Sequence, residues 1–164
     1  MDLAHHWRMM ARYNRLANER LYECCALLSD VGRRQQRTVS FGSIHALLNH
    51  ILLGDRIWMA RFEGGGATTP PLDTVLYDDF FELRAARVEE DQRIETFFAD
   101  AEPAFVSAEL KYTNSRGVAC VDQAGMAAAH FFNHQTHHRG QVHVMLTAAG
   151  IAAPSLDLHR LINP

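Results

Sequence analysis

Four stretches of the chain place apolar side chains at alternating three- and four-residue steps, the repeat of a helix with one buried stripe. The first runs from about Leu3 to Leu28, through Trp7, Met10, Tyr13, Ala17, Leu21 and Cys24. The second, about Gly42 to Phe62, has Ser40 as its expected N-cap and the Gly64-Gly65-Gly66 run as its stop. A third, about Asp79 to Ala99, carries Phe80, Leu83, Val88, Ile94, Phe97 and Phe98 among many charges, and Pro103 closes it. The last, about Gly125 to Ala148, ends at Gly150 as a C′ residue with Pro154 beyond. Helices of this length bury their stripes against one another, so an all-α fold is expected.

Two intervals break the helical period. Residues 67–78, beginning near a Thr-Thr-Pro-Pro run, form a connection longer than adjacent antiparallel helices need. It is long enough to carry the chain back and set the second and third helices parallel. Between Phe105 and Gln123 the pattern alternates through Val106, Ala108, Leu110 and Tyr112, turns at Asn114-Ser115-Arg116-Gly117, and resumes at Val118 and Val121. That predicts a small β-hairpin between the third and fourth long helices. No repeat or shift in composition divides the 164 residues, of which 48% are hydrophobic, so residues 1–164 read as one domain.

The formal charge is −3, which provides no basic field to draw the chain onto nucleic acid or an anionic bilayer. The one basic run, Arg33-Arg34-Gln35-Gln36-Arg37, reads as a solvated loop. No window reaches 18 uninterrupted apolar residues, and the N-terminus has His5, His6, Trp7 and Arg8 where a signal core would be apolar. A cytoplasmic protein without membrane partners is expected. Cys24 and Cys25 are adjacent and Cys120 stands far away, so apolar packing is a better role for them than a disulfide framework.

Ten histidines are the unusual feature, and six of them, at 45, 50, 130, 134, 137 and 138, fall in the second and last long helices. His-x3-His spacing occurs twice, where roughly 0.6 occurrences are expected by chance, so spacing alone decides little. Register says more. The apolar ladder of the last helix runs Ala127, Phe131, then Met145 and Ala149, and His134 and His138 occupy the interrupted rungs. An i, i+4 pair puts two imidazoles on one face, close enough to share an ion, whereas two buried neutral rings side by side need partners for their nitrogens. His50 lies near mid-height of the second helix among Leu47, Leu53, Gly54 and Ile57 and faces inward by the same reading. Periodicity leaves two readings open: three packed, hydrogen-bonded core histidines, or three ligands of one divalent metal with a further position for water or substrate. His130 is the rival ligand, one turn before His134. His137 is rotated by about 100° from His138 and reads as a surface or dimer-contact residue.

These residues resemble the DinB family of metal-dependent proteins. Tyr13-Asn14-Arg15-Leu16-Ala17-Asn18-Glu19-Arg20-Leu21 is similar to the family's Tyr-Asn-x-Trp-Ala-Asn-x-x-Leu, with Leu16 in place of the Trp. Ser43-Ile44-His45 and Leu48-Asn49-His50-Ile51, followed by Asp55, Trp58 and Arg61, follow its second-helix pattern. Phe132-Asn133-His134-Gln135-Thr136-His137-His138-Arg139-Gly140-Gln141-Val142-His143, continuing to Gly150, Pro154 and Asp157-Leu158, is the strongest match. The resemblance implies His50, His134 and His138 as the metal ligands, a four-helix bundle running up-down-down-up, and a homodimer.

For function, imidazole ligands suit zinc or nickel, admit Fe(II) and disfavour magnesium. Three neutral ligands would leave the ion its full charge to activate a thiol or water or to polarise a carbonyl. The wider fold includes users of low-molecular-weight thiols, so the resemblance implies a small-molecule substrate and metal-dependent thiol transfer, with hydrolysis as another chemistry. A non-catalytic, metal-stabilised, stress-related binding protein is the alternative. Asn49 and Asp55 are candidates for supporting the site or for interhelical hydrogen bonds. Arg139 is expected to pair with a carboxylate or to hold an anion.

Overall fold

The computed structural model describes residues 3–38, 40–65 and 69–164. It is mostly helical, with one small antiparallel hairpin. Long helices are α1 (Leu3–Ala26), α3 (Ile44–Phe62), α4 (Phe80–Asp100) and α5 (Ala124–Ala148), with short helices α2 (Asp30–Arg34) and α6 (Leu158–Ile162). A 3₁₀ helix over Pro103–Ser107 precedes β1 (Glu109–Thr113) and β2 (Ala119–Gln123). No helix among the described residues is long and apolar enough to cross a membrane.

Local chemistry explains the ends. Ser43 caps α3 by accepting from the Ala46 amide, so the expected cap at Ser40 is wrong by three residues; Ser40 lies in an exposed turn. Asp79 caps α4 by accepting from the Phe81 and Glu82 amides. The chain leaves α3 through Glu63 and Gly64, while Gly66, Ala67 and Thr68 of the expected stop and connection lie outside the described residues. After α5, Gly150 takes φ 79°, as expected of a C′ glycine. The hairpin pairs Glu109 with Gln123 and Thr113 with Ala119, and Asn114 Oδ1 accepts from the Arg116 and Val118 amides to shape its turn. Val106 belongs to the 3₁₀ helix, not to the alternating strand that the sequence suggests.

The basic run is also not a plain solvated loop. Its first residues complete α2, and Arg33 is buried. The Arg33 guanidinium donates to the Cys25 and Leu28 carbonyls and lies 4.2 Å from the Phe80 ring centroid, capping the end of α1. On α4, Val88 is exposed, while Arg87, Glu90 and Asp91 are buried.

That inversion on α4 reveals how the core is layered. One cluster gathers Leu21, Tyr22, Cys25, Leu47, Leu48, Leu52, Phe80, Leu83, Val142 and Leu146. Another, richer in aromatics, gathers Trp7, Met59, Ile94, Phe98, Ala128, Phe131 and Phe132. Each large apolar side chain so buried contributes about 1.5–3 kcal/mol relative to exposure. Helices α1 and α5 meet the aromatic cluster first and then the aliphatic one, while α3 and α4 meet them in the opposite order.

Between the clusters each long helix contributes buried polar residues: Asn14 and Asn18, Asp55, Arg87 and Asp91, Gln135 and Arg139. Arg87 reaches Asp55 at 2.5 Å and Asp91 at 3.0 Å. Gln135 donates to Asp55 at 2.8 Å, and Asn18 donates to Asp91 at 2.9 Å. Arg139 donates to the side-chain oxygens of Asn14 and Asn18 and lies over the Tyr13 ring, so its expected carboxylate pairing gives way to amide partners.

Candidate metal centre

Next to this layer, α3 and α5 bring His50, His134 and His138 together. One ring nitrogen from each lies within 4.8 Å of the others, a grouping that could hold a metal ion. Ring centroids stand 5.2 Å apart for His50 and His134, 4.7 Å for His50 and His138, and 4.4 Å for His134 and His138. His50 and His138 are buried and His134 half-buried. The close approach of α5 to α3 depends on Gly54, where an added Cβ would stand 3.0 Å from His134 Cε1.

Hydrogen bonds fix which nitrogens are free. His50 Nδ1 lies 2.8 Å from the Leu72 carbonyl oxygen, which can only accept, so the proton sits on Nδ1 and Nε2 keeps its lone pair. His138 Nδ1 donates in the same way to Gln141 Oε1 at 2.7 Å. Ligating histidines commonly carry such a donor bond on the second nitrogen, where it sets tautomer and ring angle. The rings are also held neutral. Desolvation, followed by repulsion from His138 and His50, drives His134 down to about 3. Burial lowers His50, opposed by its bond to Leu72, and lowers His138, opposed by its bond to Gln141. The donor set is therefore three uncharged imidazoles with unprotonated nitrogens available, which fits a divalent transition metal.

The long connection after α3 has a concrete task here: it brings the Leu72 carbonyl onto His50. Asn49 anchors that segment, accepting from the Leu76 and Tyr77 amides and donating to the Tyr77 carbonyl, and His45 Nε2 contacts the same carbonyl at 3.1 Å. Asn49 thus supports the centre through the backbone, while Asp55 turns the other way into the ionic layer. On another side, Phe41 stacks on His50 at 3.8 Å between centroids and meets His138 edge-on at 5.9 Å. Phe41 has φ 66°, a left-handed conformation that a bulky residue adopts only when its surroundings enforce it.

Other histidines stay outside the group. His130 is exposed, packs against Trp58 at 5.2 Å, and is 6.0 Å from His134 by centroid. His137 is exposed, as the helical rotation requires. His143 Nε2 contacts the Pro154 carbonyl, a partner the sequence did not reveal. The Leu72 carbonyl and Phe41 carry no legible signal either. Gln141, three residues after His138 on one helix, was within reach of i, i+3 geometry. The cysteines are free; Cys25 is fully buried, and desolvation pushes its thiol up to about 12, in keeping with a packing role.

A mostly helical protein with three neutral histidines brought together from two helices falls in the class of helical proteins whose histidine group is compatible with metal binding. The chain belongs to the DinB family, whose family model matches residues 3–164. No curated protein matches it.

Proposed function

We propose that this chain binds one divalent transition metal through Nε2 of His50 and His138 and a ring nitrogen of His134, and that it uses the metal for chemistry on a small molecule. The tethering of two rings by Nδ1, to Leu72 and Gln141, carries this reading. It readies two lone pairs for an ion and is more than packed core histidines require. Zinc and nickel suit the ligands best, with Fe(II) admitted. The scaffold in this reading is a four-helix bundle running up-down-down-up. The order in which the long helices meet the two core clusters supports it.

A divalent ion held by neutral ligands supplies Lewis acidity toward a thiol, a water or a carbonyl. The protein's own residues do the rest. Leu72 and Gln141 hold the ring tautomers, and Phe41 covers His50 and the edge of His138 against water. A cavity of about 260 Å³ along His50, Ile57, Trp58 and His134 offers a small molecule access. Thiol S-transfer is the leading reaction and hydrolysis the next.

Elemental analysis of wild type beside His134→Ala tests the ligands: about one metal ion per chain is expected in the first and a marked loss in the second. Equal content would defeat the assignment. Cobalt-substituted protein then reports the open position, because an added thiol should perturb its spectrum. Retained metal with no response to thiol and no turnover in a thiol-transferase panel would favour a metal-stabilised binding protein.

A further inference from the structure

The same cavity contains a cation that the three histidines do not explain. Arg61 is only 8% exposed, yet among the described residues no carboxylate pairs with it. Its guanidinium lies between two rings, 4.5 Å from the Trp58 centroid and 4.4 Å from that of Tyr112. Both its hydrogen bonds leave from Nη2, to the Thr113 carbonyl at 3.1 Å and to Thr69 Oγ1 at 3.4 Å. Nε and Nη1 therefore make no hydrogen bond to the described residues. Arg87, by contrast, is buried with two carboxylates.

The position of Arg61 is as informative as its charge. His50, Gly54, Trp58 and Arg61 recur on one face of α3, and all four line the cavity together with His134. Eleven residues separate His50 from Arg61, about 16 Å along the axis at the backbone, and the arginine side chain leans back toward the helix N-terminus. Among the described residues lining the cavity there is no Asp or Glu; the ionisable ones are His50, Arg61, Tyr112, His130 and His134. The cavity thus has His50 and His134 at one end and a desolvated, ring-clamped guanidinium further along, with only neutral or cationic groups between them.

We infer that the cavity selects an elongated small molecule with a carboxylate, seated on an unused N–H donor of Arg61 while the reactive group reaches the three histidines. With Nη2 engaged, Nε or Nη1 can give a carboxylate oxygen a charge-assisted hydrogen bond, and the Trp58 and Tyr112 rings hold the guanidinium in place. The neutral middle of such a molecule lies against Ile57 and Trp58. This assignment rests on the histidines being the reactive end, as proposed above, but the anion end is tested separately.

The probes are ω-mercaptohexanoate and its neutral counterpart ω-mercaptohexanol. Metal-free protein, prepared by chelation, is titrated with each while Trp58 fluorescence is followed. The acid should bind about tenfold more tightly than the alcohol, the size expected of one charge-assisted pair. Arg61→Gln should bring the two to equal affinity while retaining the wild-type metal content, and Arg61→Lys should restore part of the preference. Equal affinities in wild type, or a preference that survives Arg61→Gln, would overturn the assignment. Cobalt-loaded protein provides the second arm, with the thiolate-to-cobalt band reporting arrival at the histidines. If the metal-free preference holds and no such band forms, the carboxylate site stands and the metal reading fails.

Discussion

The layer around Asp55 and Arg87 draws on all four long helices and the cluster of His50, His134 and His138 on two; on those two, α3 and α5, they occupy neighbouring faces, yet they are built oppositely. On α5 the alternation is direct: His134 and His138 face the centre, while Gln135 and Arg139, each one residue on and about 100° around, enter the layer. In the layer, Arg87 and Arg139 offset Asp55 and Asp91, and the surrounding amides of Asn14, Asn18 and Gln135 take up hydrogen bonds. Its charges are matched internally. In the cluster, the rings are neutral, Nδ1 of His50 and of His138 is tethered, and one nitrogen of each ring lies within 4.8 Å of the others. Buried polar groups that complete one another hold a fold; buried polar groups that leave lone pairs convergent await something else.

Breaking the layer should have the largest effect. Asp55→Ala leaves Arg87 buried with only Asp91 opposite and Gln135 without its acceptor, so a loss of about 3–5 kcal/mol is expected in urea denaturation. The fraction that remains folded should still bind metal with wild-type stoichiometry. A variant that lost metal in proportion to stability would show the two regions to be one unit.

The centre should respond in the reverse way. His138→Ala is expected to change metal-free stability by no more than about 1 kcal/mol. Wild type should gain about 2.7 kcal/mol from metal at a hundredfold excess over its dissociation constant, and the variant should gain almost none. Thermal melts with and without zinc measure both numbers. An equal metal-induced rise in the variant would remove His138 from the site.

These two regions were not equally legible in the sequence. His50, His134 and His138 stood out because each replaces an apolar rung at helical spacing, and the family resemblance fixed which of several histidines mattered. The layer was harder to read, since Arg87, Glu90 and Asp91 look like the solvated side of α4 and Val88 like its buried side; the packing of α4 against both α1 and α3 reverses that. Long helices and the hairpin followed from period, whereas Ser43 displaced Ser40 as a cap because the turn through Phe41 and Gly42 takes left-handed backbone on both residues. Left-handed φ at a phenylalanine has no signature in composition or spacing. Nor does a carbonyl, such as that of Leu72, announce which ring it will meet.

The tether on His138 sharpens the contrast at smaller scale. Gln141→Leu removes the acceptor at 2.7 Å while preserving side-chain bulk, so the ring keeps its place but not its tautomer. Metal affinity should fall by about 10–100-fold. Competition with a chromophoric chelator reads this directly, and denaturation should show little change. An unchanged affinity would mean that Gln141 merely packs beside the ring.

The smallest effect should come from a single methyl group. Gly54→Ala places a Cβ 3.0 Å from His134 Cε1, so the ring must shift by a few tenths of an ångström. Replacing a mid-helix glycine by alanine favours the helix by about 0.5–1 kcal/mol, which offsets the crowding. Overall stability should therefore move by less than about 1 kcal/mol, while the displaced ring lowers metal affinity by up to about tenfold. Gly140→Ala is the matching control on α5, where an added Cβ meets nothing within 4 Å. It should gain the helical stabilisation and leave metal affinity untouched. If both alanines raised stability and neither weakened metal binding, the centre would tolerate looser geometry than three convergent imidazoles demand, and the separation between an adaptable site and a rigid layer would have to be drawn elsewhere.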